Sequence, residues 1–234
     1  MSRLLLVTPI SVDSLDGPAM DAACAAVRPP TEVVAMSLDR GPGSIEDFYD
    51  EALAVPAMLD LLAREARGYD AVVVNCFADP GVEAARDLLS IPVVGAGEAS
   101  MTLAYLVAPA YAVVSVGKGS GARIRERARR FRLDGRLVWA SGIDVRVLEI
   151  GSDEEATAQA VIQEAQGALA LGAEAIILGC TGLVPVARVV SMALPVPVIE
   201  PTTAALKMAE SLVDLGLHHV KGGIYQVPDL DKYR

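Results

Sequence analysis

Two cysteines at equivalent positions of an internal repeat are the residues of this 234-residue chain best suited to chemistry. Cys76 follows an apolar run in AVVVNCFADPG, at residues 71–81, and Cys180 follows one in AIILGCTGLVP, at residues 175–185. Downstream, IPVVGAGEASMTLA from residue 91 matches VPVIEPTTAALKMA from residue 196. The repeat predicts two copies of one supersecondary unit, each of which ends a buried strand in a thiol.

A thiol between a strand and a helix start lies near backbone N–H groups and a helix dipole, which favour the thiolate. Two thiols that face each other across a cleft can address both faces of one carbon. One removes a proton next to a carbonyl while the other donates a proton from the opposite side, which is racemisation without a cofactor. The candidate N–H donors to the enolate oxygen follow each cysteine and belong to Phe77, Ala78, Thr181 and Gly182.

Two other chemistries need residues that the sequence does not supply near these thiols. Hydrolysis of the cysteine-histidine type needs a general base, and the histidines are the adjacent pair His218 and His219, which we interpret as a capping or surface feature. A zinc site needs further ligands beside the cysteines, so we expect no metal. The turn GKGSG at residues 117–121 lacks the spacing of a phosphate-binding loop.

The composition favours an α/β fold. Hydrophobic residues make up 53% of the chain and aromatic residues only 4%, which is typical of buried parallel strands covered by helices. Helices between parallel strands bring the carboxyl ends of the strands to one edge, where ligands bind. We expect strands near residues 3–7, 32–37, 69–75, 91–94, 111–116, 145–150 and 175–179. Asp79 and Pro80 are expected to begin a helix that runs to about Leu89.

The repeat predicts two similar lobes of parallel-sheet βαβ units, related by a pseudo-two-fold axis, with the active site in the cleft between them. Gly95 and Gly97 mark the crossing into the second lobe. We assign residues 1–96 and 202–234 to the first lobe, which carries Cys76, and residues 97–201 to the second, which carries Cys180. The C-terminal tail is expected to wrap back on the first lobe.

Charge and cysteine usage point to a small molecule as the partner. The net charge of −10 disfavours nucleic acid and anionic membranes, and we interpret the arginine-rich residues 123–132 as a solvated helix face. The apolar run at the N-terminus is too short for a signal peptide or a membrane span, so a cytoplasmic protein is expected. Cys24 is then a core residue, and no disulfide is expected.

The motifs around both cysteines resemble a known family. NCFADPG and GCTGL are similar to the paired cysteine motifs of the aspartate/glutamate racemase superfamily, and most closely to its hydantoin and allantoin racemase branch. GPGSIEDFYDEA, IPVVGAGEA and AESLVDLGL also resemble that branch, so the likeness covers nearly the whole chain. The resemblance implies Cys76 and Cys180 as the two acid/base residues, Ile45 at the site, and a homo-oligomer.

The same resemblance suggests which residues contact the substrate. Residues 8–11 occupy the place of Asn-Pro-Asn-Thr with only Pro9 unchanged, and Ser115 and Val116 replace a common pair of threonines. These changes favour a less polar ring substituent. The candidate substrate contacts are Pro9, Ser11, Ile45, Phe77, Ala78, Ser115, Val116, Gly117, Thr181 and Gly182.

Our hypothesis is a cofactor-independent racemase of 5-substituted hydantoins or allantoin that uses Cys76 and Cys180 as two bases. Amino-acid racemisation, maleate-type isomerisation or malonate decarboxylation in the same cleft are alternatives within the superfamily. A non-catalytic protein that binds a small cyclic amide is the alternative from another functional class.

Overall fold

Two parallel four-stranded sheets form the framework of the protein. A computed structural model describes residues 2–12, 18–229 and 232. The first sheet has the order β2-β1-β3-β4, and its strands are β1 (Arg3–Thr8), β2 (Glu32–Ser37), β3 (Ala71–Val74) and β4 (Val93–Gly95). The second has the order β6-β5-β7-β8, and its strands are β5 (Tyr111–Val116), β6 (Leu137–Ile143), β7 (Ala175–Leu178) and β8 (Val198–Ile199). The predicted α/β fold with two similar lobes is therefore confirmed.

Helices alternate with the strands and cover the sheets. They are α1 (Pro18–Cys24), α2 (Phe48–Glu65), α3 (Val82–Leu88), α4 (Ala96–Val107), α5 (Ser120–Arg130), α6 (Glu154–Ala170), α7 (Val184–Ala193) and α8 (Pro201–Asp214). Short 3₁₀ helices occupy Asp134–Arg136, Val147–Ser152 and Thr181–Leu183. Within the described part of the chain, no helix combines the length and apolarity that a membrane crossing requires.

The central strands are buried on both faces, as expected for parallel sheets between helices. In β1, Leu5 and Val7 face the core beneath α2, which contains Met58. The alternate residues Leu4 and Leu6 face the core beneath α8. All four β1 side chains have no exposed surface, because successive side chains of a strand point to opposite faces and both faces are covered.

The repeated helices α4 and α8 hold the two halves together. They pack against each other. Helix α8 covers β1, β3 and β4 of the first sheet, while α4 follows β4 and packs on β7 and β8 of the second sheet. This packing supports our division into residues 1–96 with 202–234 and residues 97–201, which stays a proposal.

One predicted strand is wrong. The sequence predicts a strand near residues 145–150, but Val147–Ser152 forms a 3₁₀ helix, and β6 (Leu137–Ile143) is the strand that pairs with β5 on that side. β6 lies at the edge of the sheet and has only two buried residues, Ala140 and Ile143. An edge strand with so little buried surface lacks the continuous apolar run that identifies the central strands.

The C-terminal tail packs on the first lobe, as predicted. The backbone N–H of Val93 in β4 donates to Nε2 of His219 at 3.0 Å. Lys221 Nζ donates to the Asp87 carbonyl oxygen at 2.8 Å, and the Gln226 N–H donates to Asp87 Oδ1 at 2.7 Å. His219 therefore fixes the tail to a sheet edge. The interpretation as a surface feature holds for the exposed His218, whereas His219 is half-buried.

Two glycines allow the loop after β3 to lie directly on the start of α4. A Cβ at Gly95 would lie 2.5 Å from the carboxyl carbon of Asp79. A Cβ at Gly97 would overlap the backbone carbonyl oxygen of Phe77. Because neither the loop backbone nor α4 has room for one more carbon, these positions fix the distance between the Cys76 loop and α4.

We expect Gly97→Ala to lower the free energy of unfolding by about 1–3 kcal/mol, because the new methyl group displaces the loop that carries Cys76. Gly167→Ala is the matched control, since Gly167 lies within α6 and a Cβ there meets no atom within 4 Å. The control should gain about 0.5–1 kcal/mol from helix propensity. Urea unfolding of both variants measures the difference, and equal stability of Gly97→Ala and the native chain would contradict the packing described.

Candidate active site

Cys76 and Cys180 face one cavity of about 830 Å³, which lies at the carboxyl ends of the strands of both sheets. The volume is in the usual range for a small-molecule site. Nine of the ten predicted substrate contacts line this cavity, namely Pro9, Ile45, Phe77, Ala78, Ser115, Val116, Gly117, Thr181 and Gly182. The structure therefore brings together the carboxyl ends of β1, β3, β5 and β7 and the segment between β2 and α2, which contains Ile45.

Two of the predicted polar contacts use their hydroxyl groups elsewhere. Ser11 does not line the cavity, because its hydroxyl donates to the carbonyl oxygen of Gly41 at 2.9 Å in a neighbouring loop. The buried Ser115 hydroxyl donates to the Gly179 carbonyl oxygen at 2.6 Å. Ser115 thereby fixes the end of β7 just before Cys180. Neither bond could be predicted from the sequence, because both join residues that are distant along the chain.

Asp79 holds the Cys76 loop against α4. Its carboxylate accepts the backbone N–H groups of Gly97 at 2.8 Å and Glu98 at 2.7 Å. The predicted helix start at Asp79 is wrong, since α3 begins at Val82 and Asp79 caps α4 instead. Asp79 has a φ of 49°, outside the extended region that a residue capping its own helix adopts, and this turn directs its side chain to α4. Burial raises the pKa of Asp79 to about 7, against the two N–H bonds, which lower it.

The buried Asn75 joins the two cysteine loops. Its amide Nδ2 donates to Thr8 Oγ1 at 3.1 Å, and its Oδ1 accepts from Thr202 Oγ1 at 2.9 Å. The Asn75 carbonyl oxygen accepts from Thr181 Oγ1 at 3.3 Å. The residue before Cys76 is thus bonded to the residue after Cys180, so the network sets the position of one thiol relative to the other.

Burial governs the acidity of both thiols. It raises the pKa of Cys76 to about 12 and that of Cys180 to about 11. The N–H groups of Ala78 and Gly182 bond to the respective sulfurs and lower both values, the latter at 3.4 Å from Cys180 Sγ. Both side chains keep some exposure because they face the cavity. The expected preference for thiolate therefore has the right local donors, but desolvation outweighs them.

The same contacts divide the four predicted oxyanion donors into two pairs. Ala78 and Gly182 direct their N–H groups to the sulfur atoms. The N–H groups of Phe77 and Thr181 stay as candidates for an oxygen of the substrate. This division could not be predicted from sequence, since it depends on the tight turn after each cysteine.

Charged residues that the sequence analysis did not assign to the site also line the cavity. Arg123 and Arg127 project from α5, and Glu46 and Glu51 come from the segment at the start of α2. Only 10% of the Arg127 side chain is exposed, so the interpretation of this helix as a solvated face is wrong for the side that carries Arg127. Arg129 on the same helix is 60% exposed, in agreement with that interpretation. The four-residue spacing of Arg123 and Arg127 places both on one face of a helix, and this spacing could have identified them as a pair that faces the site.

Metal binding finds no support in the described residues. Across residues 2–12, 18–229 and 232, no three or more His, Cys, Asp or Glu side chains cluster in a way that could hold a metal ion. The cavity lining itself supplies two thiols, charged side chains and backbone N–H groups.

Comparison with known proteins links this geometry to racemases. A family profile described as Asp/Glu/Hydantoin racemase matches residues 17–209. The hydantoin racemase of Paenarthrobacter aurescens is 37% identical over 234 residues, 99% of each chain. The hydantoin racemase of Pseudomonas sp. (strain NS671) is 36% identical over 91% of this chain and 86% of its own length.

Solved structures agree in fold. Allantoin racemase from Klebsiella pneumoniae superposes with a TM-score of 0.92 at 32% identity, covering 98% of this chain and 94% of its own. Glutamate racemase from Francisella tularensis has a TM-score of 0.65 at 17% identity, over 96% and 86% of the two chains. This second likeness concerns the fold alone.

We expect Thr202→Val to lower the free energy of unfolding by about 1–3 kcal/mol, because it leaves Asn75 Oδ1 buried without its donor. Thr203→Val is the matched control, since Thr203 occupies the next position in the first turn of α8 and is partly exposed. Its effect should stay within about 0.5 kcal/mol. Thermal or urea unfolding measures the stability of both variants. An equal decrease in the free energy of unfolding for the two variants would contradict a specific stabilising role of the Asn75 network.

Proposed function

Because the chain belongs to the Asp/Glu/Hydantoin racemase family, we propose that it is a cofactor-independent racemase of 5-substituted hydantoins that works by two-cysteine proton transfer. Its relatives indicate an isomerase. The observation that carries the finer proposal is that Cys76 and Cys180, from matching positions of two similar sheets, face the same cavity.

The reaction needs one thiolate and one thiol on opposite faces of the hydantoin C5 carbon. The thiolate takes the C5 proton, and the electron pair moves onto the adjacent carbonyl oxygen as an enolate. The opposing thiol then donates its proton to the other face of C5, which inverts the centre. The sulfur that began as thiolate ends as thiol, and the other ends as thiolate, so atoms and charge balance.

Backbone groups would stabilise the charges that this transfer creates. The N–H groups of Ala78 and Gly182 bond to the two sulfurs and favour the thiolate form at each. We assign the N–H groups of Phe77 and Thr181 to the enolate oxygen, where preorganised donors act most strongly. Asn75 would keep the two thiols in register through its bonds to Thr181 and Thr202.

The cavity wall supports an apolar group at C5 in preference to the ureido group of allantoin. The lining includes the apolar side chains of Ile10, Val12, Ile45, Val116, Val147, Leu148 and Ile150. Ser11, which would have added a hydroxyl, bonds to Gly41 instead. A comparison of kcat/KM for 5-benzylhydantoin and allantoin tests this preference, and a higher value for allantoin would contradict it.

A homo-oligomer stays part of the proposal. At the start of α2, the side chains of Phe48 and Tyr49 are 61% and 72% exposed, and Leu53 on the same helix is 48% exposed. Such a group of apolar side chains favours association. Light scattering of the purified protein determines the assembly state.

Cys76→Ala and Cys180→Ala should each lower racemisation of an enantiopure 5-substituted hydantoin by about 10²–10⁴-fold or more, because each removes one of the two proton-transfer groups. In D₂O, each variant should still exchange the C5 proton of one enantiomer without inverting it. Polarimetry measures racemisation, and NMR measures deuterium at C5.

Cys24→Ala is the matched control for these two variants, since Cys24 packs in the core beside the first sheet and should not affect racemisation. Retained racemisation in either active-site variant would mean that one base serves both faces. No exchange by the native chain with hydantoins or allantoin would overturn the proposed function.

The rate should rise with pH, because burial raises the pKa of both thiols further above neutrality and only a thiolate can remove the C5 proton. We expect kcat/KM to increase about tenfold per unit between roughly pH 6 and 8.5, well below the first titration of the pair. The Cys76→Ala/Cys180→Ala double variant supplies the background rate. A flat profile over this range would show that one thiolate already exists at neutral pH.

A further inference from the structure

Three arginines on one face of α5 reach across the cleft to the first lobe. Their spacing of four and three residues places Arg123, Arg127 and Arg130 on the same side of the helix. Arg123 donates to the backbone carbonyl of Glu46, and Arg130 pairs with Glu83. Arg127 lies between them and pairs with Glu51 of α2, with Nη2 at 3.1 Å from Oε2 and 3.3 Å from Oε1.

The Arg127–Glu51 pair differs from the other salt bridges of α5 in its burial. The side chains of Arg127 and Glu51 are 10% and 17% exposed. Those of Arg130 and Glu83 are 59% and 43% exposed. Burying two charges costs desolvation free energy that the pair regains only in part. A buried charged pair at the wall of a reaction cavity is therefore weak evidence for stability and points instead to an electrostatic role.

The charges around the two thiols are unequal. Arg127 lowers the pKa of Cys76, whereas Cys180 and Asp79 raise it. Glu46 raises the pKa of Cys180. Arg127 also lowers the pKa of Asp79, so its positive charge offsets that carboxyl beside Cys76 as well. The charged residues that line the whole cavity are Glu46, Asp47, Glu51, Lys118, Arg123, Arg127 and Glu154.

We propose that Arg127, held by Glu51 of α2 across the cleft, is a positioning residue that favours the thiolate at Cys76 by placing a permanent positive charge on the Cys76 side of the cavity. Arg127 acts through Cys76 and needs no contact with the substrate. The proposal rests on the proposed function only for its catalytic consequence, since the effect on the thiol exists in the free protein.

The overall kinetics cannot show which of the two thiols Arg127 favours. Two enantiomers have equal free energy in water, so the equilibrium constant of a racemase is one. The ratio of kcat/KM for the two directions must equal that constant in every variant. Removal of Arg127 therefore lowers kcat/KM equally for both enantiomers, and the thiols have to be examined one at a time.

Two backgrounds isolate each thiol in the full chain. Cys24→Ser with Cys180→Ala leaves Cys76, and Cys24→Ser with Cys76→Ala leaves Cys180. Iodoacetamide alkylation followed against pH reports the thiolate fraction of the single cysteine. C5 exchange of a 5-substituted hydantoin in D₂O, measured in the same variants, reports the catalytic consequence.

In the Cys76 background, Arg127→Gln should move the alkylation profile to higher pH by about half a unit to one unit, which slows alkylation at a fixed pH by roughly three- to tenfold. Exchange by Cys76 should slow in parallel. In the Cys180 background the same substitution should move the profile by less than half as much. An equal shift of both thiols, or no shift at Cys76, would overturn the proposal.

Three further variants separate charge from structure. Arg127→Lys keeps the charge and should restore most of the Cys76 profile. Glu51→Gln removes the negative charge beside Arg127 but keeps a hydrogen-bond acceptor, so Cys76 should be alkylated at least as fast as in the native background. If the Arg127–Glu51 pair had only a structural role, its loss would slow alkylation of Cys76. Arg129→Gln is the matched control, because Arg129 lies on the same helix, pairs with Glu126 and is exposed.

Failure of this inference and failure of the proposed function are distinguishable. Alkylation needs no substrate, so a selective shift at Cys76 supports the role of Arg127 even in a chain that exchanges no hydantoin proton. Conversely, normal racemisation by the native chain with no selective shift in Arg127→Gln overturns the inference alone. If Arg127→Gln does not fold, the Arg127→Lys and Glu51→Gln profiles decide the question.

Discussion

The close contact between the Cys76 loop and the start of α4 is the constraint on which the site depends. Asp79 accepts two N–H groups of α4, and Gly95 and Gly97 leave no room between the loop and the helix. Since α4 also packs on β7 and β8, this contact ties the thiol of the first sheet to the second sheet. Asn75 and Thr181 add a direct bond between the two cysteine loops. The relative position of the thiols is thus set by backbone packing, which is stiff.

Burial of the two cysteines has two opposing effects on the chemistry of the cavity. Desolvation raises the pKa of both thiols, so the site favours two thiols over one thiolate. The same low dielectric strengthens every local donor, including the N–H groups of Ala78 and Gly182 and the guanidinium of Arg127. A few fixed dipoles and one fixed charge can therefore bias a proton between two nearly equivalent sulfurs, where the same groups in water would have little effect.

Features encoded locally were predictable from sequence, and features created by long-range contact were not. The repeat and the apolar runs identified the central strands and both thiols, because a buried parallel strand has a continuous apolar sequence. The edge strand β6 was missed because its residues are half exposed. Asp79 precedes Pro80 in a sequence typical of a helix N-cap. Its backbone conformation instead directs the side chain to α4, which begins 17 residues later at Ala96. Arg127 was assigned to a solvated face because its buried partner, Glu51 of α2, is distant in the sequence.

The placement of α8 also has a consequence for synthesis of the chain. α8 covers the face of the first sheet that contains Leu4, Leu6 and Val73, yet it is made after every strand of both sheets. A nascent chain that has completed β4 therefore exposes an apolar sheet face until more than a hundred further residues have been translated, at about 5–20 residues per second. The second sheet and its helices are contiguous in the chain. The first sheet therefore lacks its last covering helix for several seconds of synthesis, whereas the second sheet can fold as its own segments emerge.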